Sequence, residues 1–269
     1  MEIPLAEVLS DMELCGFLID TEGLEVFGRE MTERLEKIQK EMNAVDLRNM
    51  KVLVLSCDRN ADLFEPFHHC IEKYWESHPE VIYSTESVTN PYYKTICKNY
   101  ELSQWTRRIR ETLTELHDEQ VLVMVDDYFI RQPVDEGRIA YASEHLKGNI
   151  AVLNFEKAYD PNDKDTALDG FKMRQHGADY EVSIMCGLWQ REKLIAVLDR
   201  DCDPWTIELE QDSKGFDYYI NSSEYIIDGG YKTWQYMGIK RGKWCRKIVP
   251  FFEKEGIEVD YSIRGFADD

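Results

Sequence analysis

The chain has 269 residues, and its 52 Asp and Glu against 32 Lys and Arg give a formal net charge of -20. Such a field repels nucleic-acid backbones and anionic lipid surfaces, so we expect no nucleic-acid partner. No apolar run approaches the ~20 residues that span a bilayer, and the acidic N-terminal stretch lacks the basic start of a signal peptide. The seven cysteines form no CxxC pair or zinc spacing, which is typical of free thiols in a reducing compartment, and we predict a cytoplasmic protein.

The first 49 residues differ from the rest of the chain. Apolar residues recur there at helical spacing in two stretches, and Gly16 with the polar residues 20–23 separates the two. The apolar positions are Leu5, Val8, Leu9 and Met12 in the first stretch, and Met31, Leu35, Ile38 and Met42 in the second. This pattern predicts a helical N-terminal extension over residues 1–49, built as an amphipathic helical hairpin without a catalytic constellation.

After residue 50 the pattern changes to apolar strands that alternate with amphipathic helices. Strands are predicted at 51–56, 80–83, 121–125 and 148–154, and helices at 62–75, 103–116 and 191–198. This alternation predicts an α/β fold in one domain, residues 50–269, with a mostly parallel sheet and helices on both faces. The polar residues 160–165 are predicted to form a surface loop.

The strongest functional signal lies in residues 121–130. Five apolar residues of a predicted buried strand run directly into Asp126 and Asp127. In an open α/β sheet, ligands bind beyond the carboxyl ends of the strands. Two carboxylates at that place can hold a divalent cation, which in turn holds substrate phosphates. The alternative is a strand-end pair that caps the next helix or faces water.

The first predicted strand ends in Ser56, Cys57, Asp58 and Arg59, in the loop where α/β folds often bind a nucleotide. The loop carries neither the GxGxxG fingerprint of dinucleotide sites nor a P-loop. Asp58 could accept hydrogen bonds from a base or ribose, and Arg59 could bind phosphate. The alternative is that Asp58 caps the following helix and Arg59 pairs with an acid.

Two tryptophans and two acids stand out in residues 183–210. Trp189 and Trp205 are flat, amphipathic surfaces of the kind on which sugars stack. Glu208 or Glu210 could act as a general base on an acceptor hydroxyl. The alternative is that the tryptophans belong to the core and that the acids face solvent.

A basic cluster lies near the C-terminus, where five of the eight residues 240–247 are Lys or Arg. It could bind a diphosphate or an anionic lipid head group, or it could be a solvated turn that pairs with the abundant acids. The six histidines show no metal-ligand spacing, and no GxSxG motif is present, so zinc enzymes and hydrolase triads receive little support.

The stretch PLAEVLSDMELCGFLIDTEGLEVFGREMTERLEKIQKEM resembles a non-catalytic segment of family A DNA polymerases, between the exonuclease-type domain and the polymerase fingers and palm. None of that family's catalytic motifs follows, so the resemblance implies no polymerase activity. A gene fusion, a recombination scar or an artefact would explain it, with Met50 as the start of the functional domain. The alternative is an ordinary helical extension.

Residues from about 50 to 266 resemble bacterial capsular and surface-polysaccharide glycosyltransferases of GT-A type. The pieces that carry the resemblance keep one order along the chain: VLSCDRNADLFEPFHHCIEKYW, QWTRRIRETL, VLVMVDDYFIRQPVD, DYEVSIMCGLWQREKL, DPWTIELE, IKRGKW and GIEVDYSIRG. The resemblance implies a Rossmann-like GT-A domain that binds a nucleotide-sugar donor and a sugar acceptor.

Asp126 and Asp127 stand where GT-A enzymes carry an Asp-X-Asp motif that holds Mn2+ or Mg2+ on the donor diphosphate. Here the two acids are adjacent, and neighbouring side chains on a strand point to opposite faces, so we expect only one of them to touch the metal. Taken with the patterns above, the candidate donor-binding residues are Ser56, Cys57, Asp58, Arg59, Asp126, Trp189, Arg241 and Lys243. Glu208, on the Pro-Trp…Glu element, and Asp127 are the candidate catalytic residues. The family more often has Gln-Pro-Ala-Ile-Trp at residues 185–189, which points to a different donor or acceptor here.

These observations lead to the hypothesis of a cytoplasmic glycosyltransferase that moves a sugar from a nucleotide-sugar to a hydroxyl of a surface or capsular glycan, free or lipid-linked. A non-catalytic nucleotide-sugar-binding or scaffold protein is the alternative. Peripheral membrane contact through the basic cluster is compatible with either. Nucleic-acid work through the N-terminal stretch is a third hypothesis, against which the net charge and the missing polymerase motifs argue.

Overall fold

The computed structural model describes residues 21–47, 50–157, 160–178, 180–210, 213–229 and 238–268. The chain divides into two compact units, with the boundary between Met42 and Asn43. Helix α1 (Thr21–Leu47) is continuous, so the turn predicted at residues 20–23 is wrong over residues 21–23. A single glycine costs a helix only about 1 kcal/mol, which the 27-residue helix tolerates. The first helix of the predicted hairpin lies outside the described residues, and the predicted domain boundary at residue 50 stays a prediction.

A mixed sheet forms the centre of the second unit. Its strands are β1 (Lys51–Leu55), β2 (Glu80–Thr85), β3 (Lys94–Cys97), β4 (Gln120–Val125), β5 (Ile150–Lys157), β6 (Lys164–Asp165), β7 (Phe171–Met173), β8 (Cys186–Gln190) and β9 (Asp217–Asn221). Their order across the sheet is β3-β2-β1-β4-β8-β5-β9-β7-β6. Seven of these nine described strands run in one direction, and only β7 and β8 run against them. The predicted α/β fold with a mostly parallel sheet is therefore confirmed.

Strand β8 is the departure that matters for the site. It was predicted as part of a sugar-binding stretch and is instead an antiparallel strand inserted between β4 and β5. Cys186, its first residue, pairs with Met124 near the end of β4. The chain that precedes β8 therefore arrives at the same sheet edge at which β4 ends.

Helices cover both faces of the sheet, as predicted. They are α2 (Phe64–Tyr74), α3 (Trp105–Glu115), α4 (Glu136–His145), α5 (Arg191–Val197), α6 (Pro204–Leu209) and α7 (Val249–Glu255). Alternate residues of β4 enter different cores: Leu122 packs in the core that α2, α4 and α7 share, and Val123 packs in the core that α3, α5 and α6 share. A small hairpin, β10 (Ile239–Lys240) with β11 (Lys243–Trp244), lies outside the main sheet. None of the helices within the described ranges is long and apolar enough to cross a bilayer.

Candidate active site

The candidate site is built where β1 and β4 end side by side. Leu55 and Val125 are partners in the parallel register, so Ser56 and Asp126, the residues that follow them, are neighbours. The Ser56 hydroxyl donates to Asp126 Oδ2 over 2.5 Å, and the Asn60 amide donates to Asp126 Oδ1 over 3.1 Å. Both oxygens of this buried carboxylate are therefore held in place from the first loop of the sheet.

Asp126 and Asp127 lie in a turn that begins after β4 has ended. The alternation of side chains along a strand does not apply to a turn, so the expectation that the two acids face opposite sides of the sheet has no basis here. The carboxylate of Asp127 accepts a hydrogen bond from the backbone N–H of Ile239, the first residue of β10. The turn thus places Asp127 beside the β10–β11 hairpin and Asp126 beside the Ser56 loop.

The two acids carry raised pKa values. Burial, with a smaller contribution from Asp127, raises the pKa of Asp126 to about 7. Burial also raises the pKa of Asp127 to about 6, against the opposing effect of its backbone hydrogen bonds. A pair of adjacent buried carboxylates resists holding two negative charges unless a cation lies close by.

This donor set fits a divalent cation whose other ligands come from elsewhere. Carboxylate oxygens are hard ligands, and Mg2+ is usually held by one or two carboxylates together with substrate phosphates and water. Among the residues that the structure describes, no group of three or more His, Cys, Asp and Glu could hold a metal by itself.

The predicted nucleotide-binding residues in the loop after β1 differ in their surroundings. Burial raises the pKa of the Cys57 thiol to about 11, so Cys57 stays protonated. Asp58 does not cap the following helix. Its carboxylate accepts the backbone N–H groups of Ser87 and Val88, each over 2.8 Å, and so fixes the loop after β2. Its predicted role in nucleotide binding stays a prediction. The Arg59 side chain is exposed.

Glu208 lies on α6, and its carboxylate accepts the backbone N–H of Ile184 over 3.1 Å. Ile184 precedes β8, so this bond brings Glu208 to the sheet edge at which β4 ends. Burial raises the pKa of Glu208 to about 7. Glu210, the alternative base, is exposed and pairs with Arg200.

Glu156 is a further acid that the sequence patterns did not single out. It lies near the carboxyl end of β5, where burial raises its pKa to about 7; Arg174 opposes the rise, and Glu208 adds to it. An acid just beyond a predicted buried strand was the signal that pointed to Asp126. The same signal at the end of the 148–154 strand would have found Glu156.

The two tryptophans differ in the structure. Trp189 is 0% exposed and packs edge to face on Tyr218, with ring centroids 6.0 Å apart. Its predicted place at the donor sugar is therefore wrong, because the ring fills the core beneath β8. Trp205, at the start of α6, is 61% exposed, and its backbone N–H is held by the Asp203 carboxylate over 2.9 Å.

The basic cluster occupies the β10–β11 hairpin and the residues after it. Arg241 and Gly242 form the turn, with φ of 53° and 80°, and the side chains of Arg241 and Lys243 are exposed. Since the Ile239 N–H donates to Asp127, the hairpin begins beside the acid pair. Arg246 lies over the Phe266 ring at 4.5 Å.

Arg264 is the second residue that sequence reasoning missed. Its guanidinium donates to Asp62 Oδ2 over 2.7 Å, to Asn60 Oδ1 over 2.9 Å and to the Arg59 carbonyl over 2.8 Å. Its charge opposes the raised pKa of both Asp126 and Asp127. The only sequence signal was its position inside the piece GIEVDYSIRG, which implied no role.

No family model matches the chain, and no curated protein matches it. Among solved structures, the chain is similar to a nucleotidyl transferase from Methanothermobacter thermautotroptrophicus at 13% identity, covering 65% of this chain and 88% of that one with a TM-score of 0.41. S. aureus TarS in complex with UDP matches at 13% identity, 66% and 59% coverage and a TM-score of 0.44. The bifunctional IspDF from Campylobacter jejuni matches at 10% identity, 65% coverage of this chain and a TM-score of 0.38, and the chain spans half of its length (50%). Function has to be argued from the residues of the site itself.

Proposed function

We propose that the protein is a glycosyltransferase that moves a sugar from a nucleotide-sugar donor to a hydroxyl of a surface or capsular glycan. The observation that carries the proposal is that an acid pair and a separate acid lie at the ends of neighbouring strands, β4 and β8. Asp126 and Asp127 lie there beside the first loop of the sheet, and Glu208 reaches the same edge through Ile184. A pair of carboxylates that can hold a cation and a separate carboxylate that can act as a base suit an inverting transfer between a diphosphate and a hydroxyl.

The donor half of the site joins Asp126 and Asp127 with exposed cations. Arg59 follows β1, and Arg241 and Lys243 lie on the hairpin that rises from Asp127. These cations suit a diphosphate, which a protein of net charge -20 would otherwise repel. Mn2+ or Mg2+ held by Asp126 and Asp127 would supply Lewis-acid stabilisation of the departing nucleoside diphosphate.

The acceptor half of the site centres on Glu208. In an inverting transfer, the acceptor oxygen bonds to the anomeric carbon, the bond from that carbon to the diphosphate oxygen breaks, and the hydroxyl proton passes to Glu208. A carboxylate with a pKa of about 7 is matched to that task at neutral pH. The exposed Trp205 ring, three residues before Glu208 on α6, supplies a face on which an acceptor sugar can stack.

A thermal-shift screen of UDP-, GDP-, CMP- and dTDP-sugars, with and without Mn2+, tests the donor site. A ligand at 100 times its dissociation constant adds about 2.7 kcal/mol of stability. We expect one nucleotide class to stabilise the protein with Mn2+, and Asp127→Ala to remove that shift. Asp165→Asn is the matched control, because Asp165 is an exposed acid that pairs with Lys172 on β7. A wild-type protein that binds none of these donors would refute the proposal.

Release of the free nucleotide in the presence of glycan acceptors tests transfer itself. Donor binding without turnover across a broad set of acceptors would favour the non-catalytic nucleotide-sugar-binding protein over the transferase.

A further inference from the structure

Arg264 joins the C-terminal end of the chain to the loop that holds Asp126. We propose that Arg264 is a positioning residue, which fixes the Asn60 amide and thereby presents Asp126 to the cation and diphosphate of the donor. The inference rests on the proposed function, and nothing in the motif patterns assigns it.

The first step is the orientation of Asn60. Its side-chain oxygen accepts from Arg264 over 2.9 Å, and its side-chain nitrogen donates to Asp126 over 3.1 Å. A guanidinium has only donors, so it can meet only the oxygen of the amide. The nitrogen is then necessarily turned towards the carboxylate. Without Arg264 the amide is free to turn its oxygen to Asp126, where two acceptors would repel each other.

The second step is the placement of Arg264 itself. The side chain is only 6% exposed, and its ion pair with Asp62 sets the plane of the guanidinium. Gly265, with φ of 64°, follows directly, and its carbonyl accepts the backbone N–H of Trp244 over 3.0 Å. Trp244 belongs to β11, so one short segment secures both the basic hairpin and Arg264. The segment 264–265 thus connects the hairpin that carries the cations to the loop that holds Asp126.

The third step is the direction of the contact. The chain Arg264–Asn60–Asp126 ends on a carboxylate proposed to face the donor, and the remaining oxygen of that carboxylate is held by Ser56. Partners that orient metal-ligating carboxylates from behind typically change metal affinity by about 10–100-fold when they are replaced.

The test measures Mn2+ binding by electron paramagnetic resonance, with UDP, GDP, CDP or dTDP present in turn. Arg264→Lys keeps the charge but loses the planar fork, and we expect it to weaken Mn2+ binding by about 10–100-fold. Asn60→Ala should cause a similar loss. The double variant should lose no more than the weaker-binding single variant, because both changes break the same chain of contacts.

Arg107→Lys is the matched control, since Arg107 also binds an aspartate, Asp201, through its Nε over 3.2 Å but lies on the surface of α3. Its Mn2+ affinity should equal that of the wild type. If Arg264→Lys does not fold, Asn60→Ala carries the test, because it leaves the Arg264–Asp62 ion pair intact.

Unchanged Mn2+ affinity in Arg264→Lys, with or without a lower melting temperature, would show a role in stability alone and overturn the inference. Losses that add in the double variant would overturn it as well. A wild-type protein that binds no Mn2+ with any of the nucleotides would refute the metal-dependent donor site, and the inference with it.

Discussion

Replacing Glu208 with glutamine separates the cost of its buried charge from its proposed use as a base. The glutamine side chain would keep an oxygen for the Ile184 N–H, so the hydrogen bond of 3.1 Å has an acceptor in both proteins. What disappears is the ionisable group, whose pKa burial raises from the ordinary 4.5 to about 7. Between these two values the folded protein holds a proton that the unfolded chain has released.

The sign follows from that difference in bound protons. At Glu208 the folded state binds more protons than the unfolded state. The contribution of Glu208 to stability is therefore highest below pH 4.5, falls as the pH rises through 7 and is level above it. The full effect of such a rise in pKa is about 3 kcal/mol, of which about 2 kcal/mol develops between pH 5.5 and pH 8.5. Glu208→Gln should therefore gain about 2 kcal/mol relative to the wild type over this interval.

Urea unfolding followed by tryptophan fluorescence at the two pH values measures this gain. Asp126 and Asp127 titrate in both proteins and cancel in the difference. The pKa of Glu156, which Glu208 helps to raise, should fall in the variant, so the difference reports Glu208 together with this smaller effect on Glu156. Glu210→Gln is the matched control, because Glu210 is exposed on the same segment, and it should show no such gain. Transfer activity should fall by about 100- to 10,000-fold in Glu208→Gln alone. Equal pH dependence in the variant and the wild type would refute the burial argument, and retained activity would refute the base.

Trp189→Ala should lower the free energy of unfolding by about 3–5 kcal/mol in urea denaturation, whereas Trp205→Ala should change it by less than about 0.5 kcal/mol and instead raise the acceptor KM. The opposite ranking would contradict the placement of the two rings. Asp127→Asn, or chelation of the wild type with EDTA, should remove the Mn2+-dependent part of the donor thermal shift; a shift that persists would exclude the cation site. Gly238→Ala should lower the free energy of unfolding by about 1–3 kcal/mol, because its Cβ would lie 2.3 Å from the ring of Phe129. Gly28→Ala, which meets nothing within 4 Å, should stabilise its helix by about 0.5–1 kcal/mol in thermal unfolding.

The sequence predicted those residues of the candidate site that directly follow a clearly recognisable strand. The apolar run 121–125 predicted β4, and the end of a strand is where Asp126 and Asp127 had to lie. The same reasoning placed Ser56 beside them, since β1 was equally clear. The position of Trp189 was not predictable in this way, because a tryptophan that stacks on sugars and one that fills a core can have the same local sequence.

Contacts that bring distant parts of the chain together were beyond local patterns. The hydrogen bond to Ile184 brings Glu208 near the end of β4 only because β8 runs antiparallel to β4, and the direction of a strand cannot be predicted from a run of five residues. Arg264 lies 204 residues from Asn60 along the chain, and an arginine in a C-terminal loop looks the same whether it binds water or a buried amide. The hydrogen bonds of Asp58 to the N–H groups of residues 87 and 88 could not be predicted either, because backbone groups have no sequence signature.

The sequence by itself determined the alternation of strands and helices, the end of β4 and the two acids that follow it, since hydrophobic periodicity and chain order are local properties. Tertiary structure alone decided which acids share an edge, which tryptophan is covered and which cation fixes Asp126. Those outcomes depend on strand order, on direction and on the burial of each side chain. Each of these is set by packing between segments that are far apart in the chain.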